Sequence, residues 1–398
     1  MNSHINTKKF ILLIAGTIAF LNILIFTLRE IYPEIWWVGD QQFYVNTNFM
    51  LHLKSLCFFL FYLLILTVLS IFIFKNSNLK FIVKKNLYGF FIIISIIFII
   101  YIYVSFYYKI GVASSTKNSA GLWQIVFYFI SFDGLFFAYA IVEKNSKRLA
   151  FVSILYSISN IVRGWAGFVL NLLIIYYIRN KPKISIKKVL IVAVLILPII
   201  ILLLFSREIF RGGTGLVELY NLQNYSGIEF YVQLLNHLLV KILTRFDFYS
   251  NFIGINTLNN LGDMCFAYQE NIFHKILLRI DLADQCKSLG SILPAHLSEW
   301  YLNRGTAFTV GSGFFALPFP VNIVYFYSNI LVFLITTLLV RVFFNKYEII
   351  LFMLSLIYLI FLQGWIYQYI YIYLGFMMGL FIIYSSFWLN QKYELHKK

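Results

Sequence analysis

Long apolar runs separated by short polar segments organise this chain. Runs near 10–28, 54–74, 87–107 and 123–142 each supply about 18 or more residues. At 1.5 Å per residue, that length crosses roughly 30 Å of hydrocarbon. Further spans are predicted near 189–206 and 321–340, with a hairpin at 348–389 that turns at QGWIYQ. The segment from Leu149 to Ile178 is different: two passes of about 14 residues rise only about 21 Å each. Its turn, SNIVRGWAG, is therefore predicted to lie below the membrane surface, where irregular backbone needs protein or water around it. The pattern predicts an all-α polytopic membrane protein of about ten transmembrane helices. Three parts follow: an N-terminal bundle (1–206), a large loop (207–320) and C-terminal spans with a short tail (321–398). The N-terminal run reads as a retained first span, because Lys8 and Lys9 lead into a full-length apolar stretch without a small-residue cleavage site.

The large loop, about 114 residues, is too long for a mere connection. Its first part, GIEFYVQLLNHLLVKILTRFDFYSNFIGI, has helical periodicity. Phe230, Leu234, Leu235, Leu238, Ile242 and Phe246 share an apolar face, while Gln233, His237, Lys241 and Arg245 form a polar stripe. A second amphipathic helix is predicted around Asn271 to Leu282. The charge-free stretch GSGFFALPFP is expected to dip into the membrane interface. Cys265 and Cys286 also fall in this loop and are compatible either with a disulfide or with two buried thiols.

Composition agrees with the pattern: 61% hydrophobic and only 12% charged residues, about half the charge of a soluble domain. The net charge of +16 changes meaning once it is located. The large loop holds eight basic and nine acidic residues. The excess lies at Lys8/Lys9, Lys75 to Lys85, Lys144 to Arg148, Arg179 to Lys188, Arg341 to Lys346 and Lys392 to Lys398. Such clusters between spans mark cytoplasmic loops and place both termini in the cytoplasm. No basic surface is left for nucleic acid.

Candidate chemistry rests on arginines. The chain has no Walker loop, HExxH, GxSxG or CxxC, and no histidine pair with metal-ligand spacing, so no metal and no cofactor are expected. Arg163 sits in the submerged hairpin and is read as an anion ligand, with a snorkelling interfacial arginine as the plainer alternative. Arg207 and Arg211 share a helix face, and Gly212 and Gly213 follow. With Arg245 they suggest a pyrophosphate clamp, since guanidinium forks hold phosphate bidentately. Arg207 could equally anchor at the interface, and Arg245 could pair with Asp247. His237, beside Lys241 and Arg245, is the candidate base, and a structural histidine is its alternative. Asp133, near the middle of the fourth span, is either a proton relay or a structural partner for an internal arginine or Tyr hydroxyl.

With these residues in place, the chain resembles the O-antigen polymerase family of bacterial inner membranes, the Wzy-type repeat-unit polymerases. The resemblance rests on many spans, one large late loop, the SNIVRGWAG hairpin, and Arg211 followed after fifteen residues by Gly227, which looks like the family's Arg-x-Gly pattern. It departs from members with two large loops, since only one is large here. The resemblance implies a membrane-embedded glycosyltransferase (GT-C-like) architecture at the periplasmic face of the inner membrane. It implies metal-independent polymerisation of undecaprenyl-pyrophosphate-linked oligosaccharides. In that reading Arg211 and Arg163 bind pyrophosphate, and Arg207, Arg245, Lys241 and Gly227 support the substrate. His237 takes the acceptor proton. Membrane lipids and a separate chain-length regulator are the further partners. The competing readings are an O-antigen ligase, a lipid-linked oligosaccharide flippase and a polysaccharide O-acyltransferase. The last leads with a His and Arg signature in its early spans, whereas His52 has no arginine beside it in sequence.

Overall fold

The computed structural model describes residues 7–31, 37–38, 41–42, 48–75, 80, 82–108, 131–163, 168–180, 229, 232, 247–260, 311–363 and 372–385. These are almost wholly helical. The helices are α1 (Thr7–Ile31), α2 (Phe49–Phe74), α3 (Tyr88–Tyr108), α4 (Phe132–Val142), α5 (Ser146–Val162), α6 (Phe168–Asn180) and α7 (Ser250–Asn260). A 3-10 turn (Gly311–Ala316) and α8 (Val321–Phe343), α9 (Tyr347–Gln363) and α10 (Ile372–Ser385) complete the order. One antiparallel pair of two-residue strands, β1 (Trp37–Val38) and β2 (Gln41–Gln42), lies between α1 and α2.

Among the described residues, α1, α2, α3 and α8 are long and apolar enough to cross a membrane, at 25, 26, 21 and 23 residues. The exposure pattern shows which solvent they face. On α3, Ile94, Phe98, Tyr101, Val104 and Ser105 are buried at helical spacing, while Ile93, Ile96, Ile99 and Tyr103 are exposed. A helix that is apolar on its outer face as well needs an apolar surrounding. The chain is thus a helical protein embedded in a membrane.

The chain folds as two compact units, each discontinuous in sequence. The first joins residues 1–80 to 239–369. Here α1 packs on α2, and α2 contacts α7, the 3-10 turn and α8. Nearly every side chain of α9 from Tyr347 to Leu362 is buried. Tyr62 meets Phe314 edge-on at 5.2 Å, and the Tyr358 hydroxyl donates to Ser70 Oγ at 3.2 Å. The GSGFFA stretch is buried in this unit: Ser312 is 2% and Phe314 0% exposed. A Cβ on Gly313 would come within 2.6 Å of the Asn251 backbone.

The second unit joins 81–238 to 370–398. Every residue of α4 is buried. Its small residues let α10 approach closely. A Cβ on Gly134 would run into the Phe376 and Ile372 backbone, and one on Gly379 would sit 2.6 Å from Ala138 Cβ. Gly134/Ala138 facing Gly375/Gly379 is a small-xxx-small contact, the usual route to close helix packing where lipid supplies no hydrophobic drive.

Two short helices, α5 and α6, form where a hairpin is predicted, and α5 ends at Val162 with Arg163 as its cap. Seventeen and thirteen residues rise about 25 and 20 Å, short of a full crossing. Asn145 starts α5 by accepting from the Lys147 and Arg148 amides at 3.0 and 3.2 Å. The far end of α6 returns to the same level: Arg179 donates to the Ala140 and Glu143 carbonyls at 2.5 and 2.6 Å. The buried Glu143 carboxylate accepts from the Leu87 and Asn145 amides at 3.1 and 2.7 Å. The basic flanks at Lys84, Lys85, Lys144, Arg148 and Arg179 thereby gather at one end of this unit.

Candidate functional site

Arg163 is the one predicted site residue among those described. It caps the C-terminus of α5 in the helical region, its amide bonded to the Ser159 carbonyl at 3.2 Å. Its side chain is only 10% exposed, and Nη1 lies 3.6 Å from Asp133 Oδ2. That is ion-pair range and beyond hydrogen-bond length. The guanidinium also stands over the Tyr101 ring at 5.4 Å. Asp133 lies in the first turn of α4, where Ser131 caps the helix by accepting from Gly134 N–H at 3.3 Å. The described helix begins at Phe132, so Asp133 lies in a first turn rather than in a helix interior. Asp133 thus stands at ion-pair distance from an internal arginine and also meets the Tyr156 hydroxyl, the two kinds of structural partner expected for it.

Neutral polar groups complete the cluster. Tyr156 stacks on Phe136 at 4.1 Å, and its hydroxyl accepts from Asn171 Nδ2 at 3.2 Å. Ser159 and Asn160 return their side-chain donors to the Tyr156 carbonyl at 2.8 and 2.9 Å. Among the described residues, the buried guanidinium at the end of α5 faces the Asp133 carboxylate and the Tyr101 ring.

A second buried pair lies in the other unit. Arg29, at the end of α1, donates to Asp247 and also to the Tyr249 hydroxyl, the latter at 3.1 Å. Burial pushes the Tyr249 hydroxyl up to about 12, aided by the Asp247 carboxylate, while the Arg29 guanidinium pulls the other way. Residues Asp247 to Tyr249 are not helical. This corrects the continuous periodicity read through Ile255, and the reason is visible in the bonds. Asn22 Oδ1 accepts from the Phe248 and Tyr249 amides at 3.0 and 3.2 Å. The Ser55 hydroxyl donates to the Tyr249 carbonyl, and Ser312 to the Phe248 carbonyl at 3.0 Å. Side chains from α1, α2 and the 3-10 turn thus replace the helical bonds the break gives up. Nearby, His52 Nδ1 lies 2.6 Å from Glu30 Oε1.

Asp247 therefore pairs with Arg29, while Arg245, the partner sequence had offered it, lies outside the described residues. His237, Arg211, Arg207, Arg245, Lys241 and Gly227 lie outside the described residues, as do Cys265, Cys286 and the second loop helix. Sequence reasoning overlooked Arg29 and Asn22. A carboxamide and a guanidinium at the end of an otherwise apolar run were the available signal. Among the described residues, no three His, Cys, Asp or Glu side chains are grouped as metal ligands. No protein-family model, curated protein or solved structure matches the chain.

Proposed function

We propose that this chain is a membrane-embedded glycosyltransferase of the O-antigen polymerase type, acting on undecaprenyl-pyrophosphate-linked oligosaccharides at the periplasmic face of a bacterial inner membrane. About ten spans, a GT-C-like arrangement and cytoplasmic termini belong to the same proposal. One observation carries it: Arg163, a buried guanidinium at the break of a hairpin too short to cross the membrane, whose counter-ion stands at ion-pair distance, 3.6 Å away. A permanent charge held in that position is costly unless it serves an anion, and the leaving group of this reaction is a lipid-borne one.

In the step proposed, a hydroxyl of the fresh lipid-linked repeat unit attacks the anomeric carbon of the donor chain. The bond from that carbon to the pyrophosphate oxygen breaks, and the electron pair leaves with the lipid pyrophosphate. Arg163 and Arg211 stabilise the developing charge, assisted by Arg207, Arg245 and Lys241 near Gly227. His237 takes the hydroxyl proton. No metal is required for this charge balance.

Purified protein with lipid-linked repeat unit is the test. Arg163→Ala at normal protein level should leave single units where wild type builds a ladder, and Arg163→Lys should restore part of it. Full-length polymer from Arg163→Ala would defeat the proposal. Deletion separates the ligase reading: loss of a polymerase leaves single repeat units on the lipid anchor, and loss of a ligase leaves none there.

A further inference from the structure

We infer that Asp133 is the resident counter-ion of the anion site: it neutralises Arg163 between turnovers and yields it to the pyrophosphate head of an incoming lipid. The inference rests on the reading of Arg163 given above and adds how that site is kept ready. A guanidinium held within a membrane needs a compensating anion, because an uncompensated buried charge costs several kcal/mol, on the order estimated for broken buried pairs. Asp133 supplies one at 3.6 Å. The separation matters. At that distance the two groups retain Coulomb attraction without the added strength of a short charge-assisted bond, so parting them costs less.

Two further features favour exchange. Asp133 sits in the first turn of α4, where unpaired helix amides favour negative charge. It therefore keeps electrostatic support after Arg163 turns away. Its backbone is also fixed, since Gly134 is pressed against the Phe376 and Ile372 backbone of α10. Movement then falls to Arg163, a long side chain on the residue that caps α5. Among the described residues, the pair also meets the Tyr101 ring and the Tyr156 hydroxyl, to which Asn171 is bonded. A pyrophosphate approaching Arg163 must overcome repulsion from Asp133, so the carboxylate weakens binding of the very ligand class the arginine attracts. That keeps product lipid pyrophosphate from remaining bound.

The experiment uses full-length protein in phosphatidylcholine nanodiscs with farnesyl pyrophosphate as probe, and inorganic pyrophosphate and farnesol in parallel. Asp133→Asn should bind both pyrophosphates about tenfold tighter, the effect of removing about 1.4 kcal/mol of repulsion. Farnesol binding should stay unchanged. Arg163→Ala should lose pyrophosphate binding, and the double variant should match Arg163→Ala. Unchanged or weaker binding by Asp133→Asn, with binding abolished in Arg163→Ala, overturns this inference and leaves the anion site intact. Wild-type binding by Arg163→Ala instead removes the functional reading itself. Asp133→Ala serves as second variant if Asp133→Asn fails to fold. Failure of both overturns the inference, because it makes the pair a structural requirement.

Discussion

The two units each bury one arginine–aspartate pair, and the pairs are built differently. Arg29 donates to Asp247 and to Tyr249, and the segment it holds is tied by Asn22, Ser55 and Ser312. Arg163 and Asp133 stand 3.6 Å apart, with an aromatic ring and neutral side chains around them. Both pairs are largely buried, at 4% and 2% side-chain exposure against 10% and 12%, and burial alone does not separate a fastening from a ligand site. The closeness of the pairing does. Where a buried arginine and its carboxylate are bonded directly and tied further into the fold, little is left for a ligand to gain. Where the counter-ion stands off from the guanidinium, an arriving anion can do better.

This contrast can be attacked experimentally. The largest effect belongs to Asp247→Ala, which strands Arg29 and should cost about 3–5 kcal/mol, read as loss of monodisperse protein in detergent. Asn22→Ala orphans two amides at the helix break and should cost about 2–3 kcal/mol in SDS-titration unfolding. Arg163→Met should be milder than Asp247→Ala by at least about 1.5 kcal/mol, the usual worth of one hydrogen bond to a charged group. Equal losses in the two would erase the distinction drawn between the pairs. Smallest is Gly16→Ala, on an open face of α1 with nothing within 4 Å of the added Cβ. It should stabilise by up to about 1 kcal/mol and calibrates the scale. The same change at Gly134 should destabilise, by about 1–3 kcal/mol, since its Cβ meets backbone.

Much of this architecture was legible because lipid imposes a one-dimensional signal. Apolar length located α1, α2, α3 and α8, and the basic flanks of 149–178 predicted a short hairpin broken at Arg163. Arg163 stood out as a charge inside an apolar run. Its partner did not, since nothing local links residue 133 to residue 163. The same holds for Asp247: the nearest cation in sequence, Arg245, lies outside the described residues, while a partner the sequence did not suggest, Arg29, lies 218 residues away. The break at Asp247 to Tyr249 was hidden because apolar periodicity persists on both sides. Only the side chains that capture its amides and carbonyls, supplied by α1, α2 and the 3-10 turn, reveal why Asp247 to Tyr249 are not helical. The close contact of α4 with α10 was likewise present as Gly and Ala spacing, but small residues acquire meaning only once their neighbour is known.

The tie between Arg29 and Asp247 has a consequence for how the protein is made. The first unit is begun with α1 and α2, interrupted by the whole of residues 81–238, and finished only afterwards. At roughly 5–20 residues per second of synthesis, Arg29 and Asn22 wait on the order of tens of seconds for their partners to leave the ribosome. A nascent first span carrying both groups is therefore an incomplete client during that interval. It depends on the insertion machinery until the distant segment arrives, and chains truncated before Asp247 should be marked for degradation.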